Sequence, residues 1–423
     1  MDHVISLISL ISGQEFAPDE VMYVDPNYGN EGILDVQYDY DLIKSRFSRE
    51  QLANNRDYTI WRYKPLLPVE ADAAVPPLAV GWTPLYDAPR IADRFGLRQV
   101  WVKDDGRNPT ASFKDRASAI AVVKAQELNA DVVTTASTGN AAAALSGLCA
   151  SVDQKNVIFV PESAPQAKVA QLLVFGSTVL LVQGTYDDAF ELCLQAADEY
   201  GWYNRNTGFN PYMSEGKKTA SFEICEQLDW HAPDAIFVSV GDGCIIGGLH
   251  KGLKDLLAMG WIDRMPRLIG VQSAGSDFMY QAWANNEDVL TKQPIEAHTV
   301  ADSISAGLPR DRLKAMAAVE ETSGAYVRIS DEEILDAIPA MARLAGVFGE
   351  PAGATAYAGL VKAAADGVVS AADRVVVLNT GNGLKDIASA MTAVKQIGTA
   401  AHSVAPDLGD VKRVMQTLAK AEE

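Results

Sequence analysis

The spacing of hydrophobic positions divides this chain into two textures. Through the first forty residues short apolar runs such as Val4-Ile-Ser-Leu-Ile8 alternate loosely with turn residues, Asp25-Pro26-Asn27 and Gly29-Asn30 among them. That pattern predicts a small, irregular arm containing strands. Residues 38–47 and 50–55 read as helix or loop, and Pro65, Pro68, Pro76 and Pro77 then mark an extended linker, because proline removes a donor and biases the residue before it away from helix. From Val80 the texture changes. Continuous apolar runs at 99–103, 132–135, 157–160 and 179–182 alternate with helical spacing at 141–149, 166–174 and 186–199. A second set of runs, at 235–239, 267–271 and 374–378, is interleaved with helical stretches at 332–346 and 352–365. Strands that are apolar throughout and separated by helices predict parallel sheets covered on both faces.

Composition narrows the class without changing the architecture. The 423 residues are 48% hydrophobic and 22% charged, a balance that suits folded globular domains. Lysine and arginine number 36 against 55 acidic residues, a net charge of −19, and a surface of that sign repels nucleic acid and acidic membranes. Cys149, Cys193, Cys225 and Cys244 lie scattered in apolar stretches, with no paired spacing for disulfides or zinc. The start Met1-Asp2-His3-Val4 lacks the basic segment of a signal peptide, and no run reaches bilayer length, so a cytoplasmic protein is expected.

The candidate chemistry lies in strand-to-helix turns. In Asn108-Pro-Thr-Ala-Ser-Phe-Lys-Asp-Arg116 the dipeptide Asn108-Pro109 breaks regular structure, Thr110 to Ser112 offer capping hydroxyls, and Ala117, Ile120 and Ala121 continue as a helix. Lys114 therefore falls in a first turn, where the helix dipole and burial beside Phe113 both disfavour its charge and favour a reactive neutral amine. Ser137-Thr-Gly-Asn140, between a buried strand and an alanine-rich helix, offers amides and hydroxyls to a carboxylate, although alone it is an ordinary turn. Gly241-Asp-Gly-Cys-Ile-Ile-Gly-Gly248 follows another strand, and its glycines would let amides converge on a phosphate. It has neither a Walker ending nor dinucleotide spacing. Thr380, in Leu378-Asn-Thr-Gly-Asn-Gly-Leu-Lys-Asp386, would lie in the crevice at the carboxyl ends of the strands. An amine, a carboxylate receptor, a phosphate cradle and a hydroxyl together form the inventory for pyridoxal 5'-phosphate.

With Glu350-Pro-Ala-Gly-Ala354 added, these motifs resemble, in order and spacing over residues 78–395, the threonine synthase-like members of the pyridoxal-phosphate fold type II, or tryptophan synthase β, family. The resemblance implies an α/β fold of two open twisted-sheet domains with the cofactor in the cleft between them, plus a small N-terminal arm. The division it implies is residues 1–77 for the arm and linker, 78–111 plus 207–400 for the large cofactor domain, and 112–206 for a small mobile domain. Lys114 would form the Schiff base and move the α-proton. Phe113 would line the ring, Asn140 would bond the phenolic oxygen, and Gly241, Asp242, Gly243, Cys244 and Ile245 would hold the phosphate. Ser137, Thr138 and Gly139 would face the carboxylate of an amino-acid substrate, and Thr380 would face the pyridine nitrogen, where a hydroxyl keeps the ring neutral. Relatives of this kind are commonly dimers.

Two departures shape the functional expectation. Such relatives typically carry Asn-Pro-Tyr-Arg, whose arginine helps hold a substrate phosphate, whereas this chain reads Asn210-Pro-Tyr-Met213, leaving Lys217 or Arg205 to supply the charge. Ser9, Ser12, Asp25 and Tyr28 stand where relatives often place two zinc-binding cysteine pairs, so no metal is expected. The resemblance implies elimination and replacement at Cβ or Cγ, with conversion of O-phosphohomoserine and water to threonine and phosphate as the leading reading. Ammonia-lyase action on serine or threonine, replacement on O-phosphoserine and chemistry on a 2-amino-4-oxo acid share the same machinery. A scaffold that has lost activity is the alternative of a different class.

Overall fold

The computed structural model describes residues 1–421. Strands β1 (Val4–Ser9), β2 (Glu15–Phe16) and β3 (Leu34–Tyr38) form an antiparallel sheet in the order β2-β1-β3. This arm is fastened to the rest of the chain by buried polar contacts. Lys251 Nζ donates to Asp35 Oδ2 at 2.9 Å, and the Tyr38 and Tyr40 hydroxyls donate to Glu215 (2.6 Å) and Asp255 (2.7 Å). Within the arm the Ser12 amide donates to Ser9 Oγ at 3.3 Å and the Ser12 hydroxyl to Asp25 Oδ2 at 2.9 Å. Among the described residues no group of three or more His, Cys, Asp or Glu side chains is placed to hold a metal ion.

The part of the proline-bearing stretch that holds Pro65 and Pro68 is not an extended linker. Ile60–Leu66 turns as a 3-10 helix, and Ile60, Tyr63, Leu66, Leu67 and Val69 are fully buried. Its apolar side chains decide the outcome, since burying five of them outweighs the local preference of proline for extended backbone.

Strands β4 (Leu85–Asp87) and β5 (Gln99–Asp104) begin a sheet that the chain then leaves. It builds β6 (Val132–Ala136), β7 (Lys155–Pro161), β8 (Thr178–Val182) and β9 (Tyr203–Asn204), an all-parallel sheet in the order β8-β7-β6-β9. It returns with β10 (Ala235–Ser239), β11 (Arg267–Ser273), β12 (Ala325–Ile329) and β13 (Arg374–Asn379). The resulting six-stranded sheet runs β12-β11-β10-β13-β5-β4, parallel except where β4 meets β5.

The period-two alternation of strand side chains assigns the two faces of this sheet. Phe237, Val271 and Val377 pack on one side with the helices Asp331–Ala345 and Pro351–Ala365. Val238, Leu268 and Val376 pack on the other with the helix Cys244–Ala258. Covering both faces is why these strands read as unbroken apolar runs. No helix among the described residues is long and apolar enough to cross a membrane.

Candidate active site

The helix Lys114–Glu127 begins on the lysine singled out from sequence, but its start is not capped by the preceding hydroxyls. Instead Asp115, in the first turn, reaches back: its carboxylate accepts the Thr110 amide at 2.7 Å and the Thr110 hydroxyl. A carboxylate completes these two donors better than a serine would, and Asp115 occupies the position that the helix dipole favours for it. The loop before Lys114 is laced to the loop after β13. The Phe113 amide donates to the Thr380 carbonyl at 2.9 Å, and the Asn382 amide to the Ala111 carbonyl at 3.0 Å. Because β5 and β13 are paired neighbours, this lacing brings Lys114 and Thr380 to adjoining carboxyl ends of the sheet.

Arg116 fixes the direction of the turn. Its guanidinium is fully buried between Asp105, at 2.6 Å from Nε, and Glu223, at 2.5 Å from Nη1, while Lys103 Nζ meets the other Glu223 oxygen at 2.7 Å. Phe113 packs in the core with the Arg116 guanidinium 5.4 Å from its ring centroid and is not accessible to a ligand, contrary to its expected place against the ring. The core takes an aromatic side chain at less cost than an exposed cleft would.

Lys114 itself is partly buried and has no carboxylate partner among the described residues. Removal from water pushes its ammonium below the usual lysine range, Arg205 adds to that effect, and Cys244, Asp242 and Glu350 oppose it. The glycine loop beside it follows β10 and opens the helix Cys244–Ala258. Gly243 has φ +85°, and a Cβ there would lie 2.6 Å from the Ala315 Cβ; at Gly241 it would lie 2.7 Å from the Ile304 Cα. Such a cradle, closed on one side and set at a helix N-terminus, suits a phosphate group. The carboxylate of Asp242, which is exposed, accepts the Arg310 amide at 3.3 Å. Cys244 and Ile245 are the first two helical residues after it.

Met213, which stands where the resemblance leads one to expect an arginine, and Lys217, a candidate to replace its charge, differ here. Met213 is fully buried in the main core cluster. Lys217, at the end of the helix Tyr212–Lys217, is also fully buried, but its ammonium reaches only the Thr207 hydroxyl, at 3.4 Å. Burial, together with repulsion from Lys114 and Arg205, lowers its pKa to about 8 against the attraction of Cys244.

The turn Ser137 to Asn140 follows β6. Ser137 Oγ accepts the Gly139 amide at 3.1 Å, and the helix Asn140–Ala150 begins at once. Thr138, Gly139 and Asn140 line a cavity of about 390 Å³ together with Lys168, Glu350 and Lys385. Asn140 Nδ2 donates to Glu350 Oε1 at 2.6 Å, so Glu350 borders the cavity and also lies within the field of Lys114. The structure therefore gathers the predicted residues into two adjoining groups, one of Lys114, Lys217 and the glycine loop and one of Ser137 to Asn140, with Glu350 shared between them. Thr380 joins the first group through the backbone of Phe113. Glu350 had a visible signal, the motif it opens, but its partner lies 210 residues away in sequence and local reading gave it no role. Arg116 stood in the first motif without a partner to explain it.

A family described as pyridoxal-phosphate dependent enzyme matches residues 77–381. A threonine synthase of Methanocaldococcus jannaschii is 35% identical over 408 residues, covering 96% of this chain and 98% of that one. A threonine synthase of Methanosarcina acetivorans is 38% identical over 375 residues, covering 88% and 90%. Among solved structures, the processed threonine deaminase isoform 2 of Solanum lycopersicum superposes with a TM-score of 0.65 at 21% identity, covering 91% of this chain and 94% of that one. At that identity the superposition speaks for the two-domain fold alone.

Proposed function

The chain belongs to the pyridoxal-phosphate dependent enzyme family, and from that premise we propose that it is a threonine synthase, converting O-phosphohomoserine and water to threonine and phosphate. The observation that carries the reading is that similarity to curated threonine synthases runs through nearly the whole chain, arm included, and not only through the cofactor-binding part.

The residues present fit the cofactor: a loop whose glycines are required by close packing against Ile304 and Ala315, a helix N-terminus, and an amine with no carboxylate partner among the described residues and a lowered pKa. When bound, pyridoxal phosphate supplies an electron sink for the pair left behind as the α-proton departs. In this reading the amides of Gly241 to Ile245 hold its phosphate, the Asn140 amide takes its phenolic oxygen and the Thr380 hydroxyl takes its ring nitrogen. Ser137, Thr138 and Gly139 bind the α-carboxylate of the substrate and fix the Cα–H bond toward Lys114. The Lys114 amine, uncharged more readily than an exposed lysine, takes that proton and returns protons along the substrate chain. Residues 112–206 act as the mobile part, closing over the substrate to exclude water until the phosphate has left. Four free, buried cysteines suit the reducing cytoplasm, and we place the enzyme there as a homodimer.

Incubating the purified holoenzyme with O-phosphohomoserine tests the reading. Equimolar phosphate and threonine are expected. Absence of phosphate release, with keto-acid formation from serine or threonine, overturns it in favour of an ammonia-lyase.

A further inference from the structure

We infer that Glu350 is a positioning residue for the cofactor site, its carboxylate setting the side-chain amide of Asn140 so that nitrogen, not oxygen, is presented to the phenolic oxygen; this rests on the place given to Asn140 above. Glu350 stands at the N-cap of the helix Pro351–Ala365, where a polar side chain ordinarily turns back to bond the amides of its own helix. It makes no such bond. Its carboxylate reaches outward instead, and Oε1 accepts Asn140 Nδ2 at 2.6 Å. Both residues are buried, so this charge-assisted bond is made largely out of water, where it is strongest. The position of the carboxylate is prepared by a glycine. A Cβ at Gly381 would collide with Glu350 Oε1, and the Gly381 carbonyl accepts the Glu350 amide at 3.1 Å.

The chemistry of the pair explains the arrangement. An asparagine amide is nearly symmetric in shape, so its oxygen and nitrogen can exchange places unless a partner tells them apart. An ionised carboxylate only accepts, and it therefore admits the NH2 end and repels the carbonyl end. One NH2 hydrogen is then spent on Glu350, and the other is left for a second acceptor. Burial raises the pKa of Glu350, while Lys385, the bond from Asn140, Lys114 and Lys168 oppose that rise and favour the ionised form. The bond also joins the two sheets. Asn140 opens the helix that follows β6 of the four-stranded sheet, whereas Glu350 opens a helix packed on the six-stranded sheet. Orientation of the amide is thus imposed from the opposite side of the cleft, and Glu350 acts through Asn140 alone.

A double-mutant cycle on the holoenzyme tests this with N140A, E350L and N140A/E350L. The readouts are the rate of cofactor release after dilution and the visible absorbance spectrum of the bound cofactor, neither of which involves turnover. Melting curves establish that each variant is folded. N140A should speed release by about tenfold or more and shift the spectrum, and E350L should do the same. Adding E350L to N140A should change neither readout further, because no amide remains to be oriented. E350Q still accepts but no longer excludes the reversed amide, so it should show a smaller change of the same kind, again absent beside N140A. That variant decides the matter if E350L does not fold. Glu350 substitutions that alter the N140A enzyme as much as the unmodified one overturn the inference, since they show an action that bypasses Asn140. Substitutions that leave the unmodified enzyme unchanged overturn it as well, and in both cases the proposed function stands. If N140A itself moves neither readout, the place given to Asn140 falls, and the role of Glu350 with it.

Discussion

A lysine withdrawn from water holds its proton over a narrower pH range than an exposed one, and Lys217 and Lys114 are both shifted in this way. Lys217 is fully buried, and its pKa lies near 8. The same group sets a stability trend. Unfolded, the lysine keeps its proton to about 10.4. Between the folded and unfolded values the unfolded chain binds more protons, so stability of the ligand-free holoenzyme should rise with pH from about 8 to about 10, and K217M should flatten that rise in thermal melts. Lys114 must give up its proton to react. Borohydride treatment of the holoenzyme should leave a cofactor adduct on the peptide containing Lys114, and K114A should lose both adduct and at least about 1,000-fold of its turnover, a barrier change of about 4 kcal/mol. Lys114 and Asn140 were legible in sequence because a turn and a helix start announce them locally. Glu350 was visible only as the start of a motif, for its significance depends on the Asn140 side chain that it meets 210 residues away.

At the scale of elements, the first turn of the Lys114 helix is held by ions more than by caps. Replacing Arg116 with methionine would leave Asp105 and Glu223 buried without their main counter-charge, and a loss of about 3–5 kcal/mol is expected from denaturant unfolding. Adding D105N to that variant, which leaves the Lys103–Glu223 pair intact, should recover part of it. Gly243→Ala imposes a left-handed residue worth about 1–2 kcal/mol and drives a methyl against Ala315, so faster cofactor release is expected, measurable from absorbance after dilution. Sequence spacing revealed those elements whose own residues dictate them: the apolar runs of β10 and β13, and the helix Asp331–Ala345 with its Ser330 and Glu333 capping box. It did not reveal β9, two residues long and stabilised only by its pairing with β6, nor β12, whose alternating Ala325-Tyr-Val-Arg-Ile329 carries Arg328 on an exposed side. Prolines at 65 and 68 misled in the other direction, since the tertiary burial of Tyr63, Leu66 and Leu67 overrides the local signal.

Across the whole molecule, two ion pairs join the parts that surround the cleft. Lys168, on the helix Gln166–Val174, meets Asp302, and Arg310 meets Asp187 at 3.2 Å while stacking its guanidinium 4.5 Å from the Phe190 centroid. If residues 112–206 close as proposed, D302K should repel Lys168 and accelerate hydrogen exchange in the helix Gln166–Val174; unchanged protection there would count against closure. The N-terminal arm governs how such a motion can proceed. The Tyr23 hydroxyl accepts the Asn204 amide of β9 at 2.8 Å, while Asp35 and Leu34 of the same arm are bonded to Lys251 and Lys314. One border of the four-stranded sheet is thus hung like the hinge side of a door. Swing should grow outward from β9 through β6 and β7 to β8, so that the rim bearing Lys168 and Asp187 travels farthest while Arg205, beside the post, scarcely moves.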